Sequence, residues 1–571
     1  MVSVAGQKRS LLLALVLGAA GVVQAQEQVS QPPLGVQPPL DSVQAPLPDA
    51  LKVKGTRPKS NPGVIPPAAT TLPPELDSLN APPSMALPTK PEQVRINDLR
   101  PLGLTEVERL AEVNNPFLKS IAMQVEEAKS NLRAQISAWY PTLSLSTGSF
   151  PTRTFGSRTQ NYGGSSLDAN NPYDSPSPKT QTQTYGAVAG LNFNWDLINP
   201  QRVPQIAAAR DTYEKAKNQY LIALRDLRLQ TAQTYFGLQN ADDQVRIGKS
   251  SVQSSLVSLR DARARFQAGV ATKLDVMEAE TQLARDQQVL TNGLSEQAKA
   301  RRQLARILAL PQTVTPTAKD PSMVLGVWQP SLQESIVAAY AFREELDNII
   351  LDISVANSNA NVALGNVQPF LSIVSTSGWD KTFGEANVYG PADMGLVVEN
   401  LRETIGMNLR WNIFDGGRSA AQARQQRQLA KENTFKFADQ RDKLRFEVEE
   451  SYFNLQAQVR NLITLSRQVL STRESLRLAR LRFQAGVGTQ RNVVDTQRDL
   501  TQAEVLYSNA VSQYNTFMAQ LQRRTGLDQV MRCVPPRLPA EPPAKDSLTD
   551  IPVLPVPTDS PCVIKPVSKT L

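Results

Sequence analysis

The 571-residue chain contains no histidine, and its two cysteines, Cys533 and Cys562, lie near the C terminus. Without imidazole there is no Ser-His-Asp triad, no His-ligated zinc and no imidazole general base. The cysteines are either a disulfide pair, which an oxidising compartment allows, or two free thiols. Proline is absent from Gln205 to Leu310 and from Ala392 to Val534, although seventeen of the 41 prolines stand at or before Pro101 and ten at or after Pro535. Past the N-terminal region no stretch offers the roughly 20 consecutive apolar residues of a membrane-crossing helix. Any insertion into a membrane would therefore be as β-structure. The net charge of +8 comes from interspersed residues of both signs, without the single-sign blocks of a nucleic-acid-binding tail. No glycine-rich phosphate loop follows a strand, and no thiol or metal-ligand cluster lies in the body. The composition thus points away from an enzyme, a metal centre, a cofactor site or a nucleic-acid partner.

What is present begins with Lys8-Arg9, the apolar run Leu11 to Val23 and the small-residue ending Val23-Gln24-Ala25, the three parts of a secretory signal peptide over residues 1–25. No cysteine near that cleavage site provides for a lipid anchor. Residues 26–100 are rich in Pro, Gln and Ser, a composition that buries no core and predicts a disordered linker. A second Pro-rich disordered tail is expected over 531–571.

Between the tails the sequence repeats. Arg265-Phe266-Gln267-Ala268-Gly269-Val270 recurs 217 positions later as Arg482-Phe483-Gln484-Ala485-Gly486-Val487, and the same offset carries Tyr235-Phe236 onto Tyr452-Phe453. Upstream, an offset of 228 carries Leu104, Leu118, Asn131 and Pro141 onto Leu332, Leu346, Asn359 and Pro369. The period is too long for a solenoid and predicts two halves of one structure, 101–311 and 331–530, joined by a linker at 312–330.

Each half holds one proline-poor stretch, Gln201 to Ala268 and Arg418 to Ala485, long enough for a helix of about 100 Å. Leu238, Val245, Val252, Leu259 and Phe266 recur every seven residues, as do Val448, Leu455, Leu462, Val469, Leu476 and Phe483, the mark of left-handed coiled-coil packing. Ala241, Gly248, Ser255 and Ala262 follow at three-residue spacing and permit close helix approach. Gly269 and Gly486 suit the left-handed position after a helix end. Thr272 and Thr489 can then cap return helices from about 273 and 490, with Asp275 and Asn492 at the third helical position. Two segments alternate with period two, Tyr185 to Trp195 and Thr404 to Ile413, apolar on one side and mostly polar on the other. Partner strands are expected after Pro141 and Pro369, with the links 151–184 and 379–403 as loops. Trp195 and Trp411 would stand in an interfacial aromatic girdle. Four strands cannot close a barrel, so several copies are needed.

These residues resemble the TolC-like outer membrane efflux proteins over roughly 100–530. The resemblance rests on the tip motifs Arg265 to Asp275 and Arg482 to Asp495, the corner Trp411-Asn412-Ile413-Phe414-Asp415-Gly416-Gly417, and the strand starts Tyr140-Pro141 and Gln368-Pro369. It implies a mixed α+β membrane protein: a homotrimer whose 12-stranded transmembrane β-barrel, four strands per protomer, continues into an α-helical coiled-coil periplasmic tunnel. It implies a passive exit duct, serving a tripartite efflux pump or a type I secretion system through a periplasmic adaptor and an RND-type or ABC-type inner-membrane transporter. By the same resemblance Asp495 would be the ring carboxylate of the entrance, with Asn492, Asp275 and Phe483 at the gate. Asn492 stands where a second Asp is usual, and Phe483 where a Tyr is. Arg265, Gly269, Arg482 and Gly486 would form the tip surface for the adaptor. The main rival is a periplasmic coiled-coil tether without a pore, against which the Trp-ended strand pairs argue.

Overall fold

The computed structural model of the chain describes residues 67–96, 98–148, 151–159, 179–387, 394–527 and 530–532. The expected signal peptide, most of the linker, Cys533, Cys562 and the C-terminal tail beyond Arg532 lie outside the described residues.

The first half runs through strand β1 (Asp98–Leu102), helices α1 (Leu104–Asn114) and α2 (Pro116–Ile136), strands β2 (Thr142–Thr147), β3 (Thr152–Thr159) and β4 (Lys179–Ile198), and helices α3 (Arg202–Gln267) and α4 (Lys273–Ile307). Strands β5 (Val314–Ala318) and β6 (Gly326–Trp328) lead to the second half: α5 (Leu332–Phe342), α6 (Glu344–Gly365), β7 (Phe370–Asn387), β8 (Met394–Arg410), α7 (Arg418–Gln484), α8 (Gln490–Thr525) and β9 (Val530–Arg532). The order is the same in both halves: a short helix, a middle-sized one, strands, a helix of about 100 Å and a return helix.

Local signals set the helix ends. Asn115 caps α2, its side chain accepting from the amides of Phe117 and Leu118, with Pro116 at the first position, where its missing N–H costs nothing. Ser331 and Glu334 form a capping box on α5. The long α3 packs on both α2 and α4. The Asn115 Nδ2 donates to the carbonyl of Ile307 at 2.9 Å, which ties the start of α2 to the end of α4. Leu238, Val245 and Leu259 are buried along α3, as are Val448, Leu455, Leu462, Val469 and Leu476 along α7, so the seven-residue seam is the packing seam. It stops short of the tip in the first half, where Phe266 is 46% exposed. Gly248 is required by the close crossing of α3 and α4: a Cβ there would stand 2.9 Å from the Leu290 Cα.

The described part of the expected linker is ordered against the body, which corrects the reading of residues 26–100. A 3-10 helix at Pro74–Leu79 buries Leu76 and Leu79 in the cluster formed by Leu102, Val107, Leu110, Leu227 and Tyr235. The amide of Ala69 donates to Glu112 at 2.6 Å and the Asn114 side chain to the carbonyl of Leu79 at 2.8 Å. Two leucines at three-residue spacing, set among prolines, suffice to dock this stretch. The inter-repeat segment is likewise built in, since β5 pairs in parallel with β1 and β6 antiparallel with β9.

A charge cluster fixes the start of α6. Arg343 reaches Glu345 at 2.8 Å and Glu447 at 2.6 Å, while Arg523 from α8 reaches Glu345 at 2.8 Å and Asp226 at 2.6 Å. Burial alone would raise the Glu345 carboxyl, but the hydrogen bonds and charges of Arg343 and Arg523 prevail and hold it at about 2. Its neighbour Glu344, fully buried and 3.0 Å from Arg225, is pushed upward by burial against the pull of that arginine.

The largest sheet runs β2-β4-β7-β8, with β3 also pairing with β4. β2 and β3 lie on the same side of β4, against 189–194 and 179–186, so they act as one interrupted strand in a four-strand path. The strands are longer than the alternating segments predicted. Parts of the expected loops 151–184 and 379–403 are strand, whereas β8 stops at Arg410, before Trp411 and Ile413. The Gly-, Ser- and Asn-rich composition hid the extension, because the ladder is made by backbone groups whatever the side chains.

Candidate functional site

Register sorts the sheet into two faces. Leu143 and Leu145 stand opposite Phe193 and Leu191, and Trp195 opposite Ile373, itself opposite Met407. The other face carries Asn192, Asn194, Thr376, Thr404 and Asn408. Ser375, Ser377, Glu403 and the ion pair of Lys381 with Glu399, at 3.1 Å, interrupt the apolar face. Aromatics gather at two levels. Trp139, Tyr140, Trp195 and Trp411 lie at the helix end of the sheet, where the Trp195 Nε1 donates to the carbonyl of Trp139 and the Trp411 Nε1 to that of Val367, each at 3.1 Å. Tyr185 and Phe383 lie at the other, stacked 6.3 Å apart, with Trp379 four residues nearer the helices, opposite Ala189. Ten residues separate Trp195 from Tyr185, roughly 33 Å of strand, or about 25 Å of height at a barrel's usual tilt, the thickness of an outer-membrane apolar band. The second level was missed in the sequence, since Phe383 was placed in a loop. Among the described residues no helix is long and apolar enough to cross a membrane.

At the opposite end of the molecule the two long helices turn. Gly269 and Gly486 both take φ of +77°, the conformation that lets the amides of Val270 and Val487 return to the carbonyls of Arg265 and Arg482 at 2.9 and 3.0 Å. Thr272 then caps α4 with a reciprocal box: its hydroxyl accepts from the Asp275 amide, and Asp275 accepts from the Thr272 amide at 2.8 Å. Thr489 caps α8 by accepting from the Asn492 amide at 3.3 Å. Asp275 and Asn492 are therefore placed as helix-start residues.

The two hairpins meet along α3 and α8 through polar groups. Asn240 donates to Asn509 at 2.8 Å, the Ser251 and Thr501 hydroxyls lie 2.7 Å apart, and Gln490 donates to Ser258 at 2.8 Å. At the extreme tip the Arg265 guanidinium sits 4.1 Å over the ring of Phe483. This pairing joins a residue expected on the adaptor surface to one expected at the gate, and spacing within either hairpin gives no sign of it. Arg482, the repeat counterpart of Arg265, is exposed. Asp495 stands on the exposed side of α8 between Arg491 at 3.9 Å and Arg498 at 3.4 Å. Those two arginines were absent from the sequence reading, though their i, i+4 and i, i+3 spacing to Asp495 is legible there.

This architecture agrees with the chain's relatives. Residues 108–310 and 336–527 match the family described as Outer membrane efflux protein. The chain is 21% identical over 438 residues to the outer membrane protein TolC of Vibrio cholerae serotype O1, covering 74% of this chain and 90% of that one. Among solved structures, the outer-membrane channel OprN superposes with a TM-score of 0.59 at 16% identity, over 79% of this chain and 97% of that one. The Campylobacter jejuni CmeC outer membrane channel gives 0.58 at 16% identity, over 74% and 85%. With both halves matched separately and together spanning well over half of its length, the chain belongs to the outer membrane efflux protein family.

Proposed function

We propose that three copies of this chain close a twelve-stranded barrel in the outer membrane and a helical tunnel below it, a passive duct for solutes leaving the periplasmic side. The observation that carries this reading is the sheet: among the described residues, four strand positions with two unpaired edges, β2/β3 and β8, one face mostly apolar and the other mostly polar. Open edges of this length demand a partner, and identical copies joined edge to edge form a closed ring. Twelve strands enclose a polar interior, and α3 and α7 extend that wall by about 100 Å. In this reading the duct is energised elsewhere and serves an inner-membrane transporter of RND or ABC type through a periplasmic adaptor that docks at the hairpin tips. Arg482, Gly486 and Gly269 remain the tip surface for that adaptor, with Asp495, Asn492, Asp275 and Phe483 around the entrance.

The test is planar-bilayer recording on detergent-extracted oligomer whose mass has been measured. Discrete conductance steps from a trimer support the duct. A folded assembly that is soluble without detergent refutes it and favours a periplasmic tether.

A further inference from the structure

Among its described side chains, the mostly apolar face of the sheet carries four charges: Arg153 on β3, Lys381 on β7, and Glu399 and Glu403 on β8. Lys381 and Glu399 pair with each other at 3.1 Å. Among the described residues Arg153 and Glu403 have no ion-pair partner within the chain; the Arg153 guanidinium rests 5.9 Å over the Tyr185 ring. These two opposite charges stand on opposite edges of the sheet, since β3 pairs only with β4 and β8 only with β7. In the barrel reading this face meets lipid, where a lone charge is destabilising.

We propose that Arg153 of one copy and Glu403 of the next form an ion pair across the joint between copies, which sets the register of β8 on β3. The proposal rests on the barrel reading above. β2 and β3 run away from the helices and β8 runs back toward them, so the two free edges meet antiparallel. The Gly148 amide donates to the carbonyl of Val188 at 3.1 Å, so the even residues of β4 bond toward β2 and the odd ones toward β7. With the odd, apolar side outward and the helices down, the chirality of L-residues then orders β2, β4, β7 and β8 from right to left as seen from the membrane. Right-handed twist tilts every strand up to the right, and a closed ring tilted by about 35–45° staggers each copy by about four to six residues against the next. Within one copy Arg153 shares a cross-strand row with Tyr185, Phe383 and Val397. The stagger carries it down the neighbouring β8, past Val397 to the stretch between Leu401 and Glu403. Only an even stagger keeps the apolar side outward. A stagger of about four residues sets Arg153 diagonal to Glu403 and one of about six sets it directly opposite, both within reach of an arginine side chain.

The experiment is heat dissociation of the full-length, detergent-extracted oligomer, followed on gels that keep it assembled. Arg153→Glu and Glu403→Arg should each lower the dissociation midpoint, and the double exchange should recover more than half of either loss, because only it restores opposite charges at the joint. Should the reversed variants fail to assemble, the neutral ones Arg153→Met and Glu403→Gln decide: together they should lower the midpoint by less than the sum of their separate effects. A double exchange no more stable than the single ones, or neutral changes that simply add, overturns the ion pair while leaving the duct intact. A wild type that is monomeric in detergent, or whose folded oligomer gives no conductance, overturns the barrel reading and this proposal with it.

Discussion

Replacing Phe483 by Leu should loosen the contact between the two hairpin tips. In the structure the Arg265 guanidinium lies 4.1 Å over the Phe483 ring, and this contact joins the ends of α3 and α7, the parts of the two hairpins farthest from the sheet. A cation–π contact contributes about 0.5–1 kcal/mol when exposed and about 2 kcal/mol when desolvated. Both partners are half-buried, so about 1 kcal/mol per chain is a fair value. Leucine keeps the apolar bulk and loses the quadrupole. In the proposed trimer, three tips that part together on opening cost the closed state about 3 kcal/mol of this contact, a shift of roughly a hundredfold in the closed-to-open ratio at about 1.4 kcal/mol per factor of ten. The assay is open probability in single-channel recordings. Phe483→Leu should raise it steeply and Phe483→Tyr, which retains the ring face, should not. Arg265→Met should reproduce the leucine effect, and combining it with Phe483→Leu should add little, since both remove one interaction. Equal behaviour of the Leu and Tyr variants, or full additivity of the pair, would refute the latch.

Three further outcomes are expected. Glu345 is held at about 2 in the folded chain, below the ordinary carboxylate range, so its contribution is complete above the unfolded value and is lost as pH falls through the window from about 4.3 to about 2. That contribution is about 3 kcal/mol; Glu345→Gln should remove this share of the loss of thermal stability across the window and leave the share of the other carboxylates. Gly248→Ala should force α3 and α4 apart, because the new Cβ meets the Leu290 backbone at 2.9 Å; a loss of about 1–3 kcal/mol in urea unfolding is expected. Gly486→Ala, at φ of +77°, should cost about 1–2 kcal/mol and show as faster proteolysis at the tip with little change elsewhere.

The helical half of this protein was legible in its sequence because its rules are local. The seven-residue seam, the proline-free stretches, the glycine at each tip and the threonine after it each fix a helix or its end through neighbours a few positions away, and both long helices fall within a residue of the expected bounds. The tandem repeat then supplied the pairing of elements within each half. Local pattern misled where backbone pairing overrode composition: β7 and β8 continue through a Gly- and Asn-containing stretch because adjacent strands satisfy their amides there, and residues 74–79 dock despite their prolines because two leucines find a core. Tertiary structure alone decided which side chains meet across the repeat. It set Arg265 against Phe483 and Arg523 against Glu345, because those contacts join residues well over a hundred positions apart on separately specified helices. The bracketing of Asp495 by two arginines lies between these cases: its spacing is written in the sequence, but only the packing of α8 shows that this face is the exposed one.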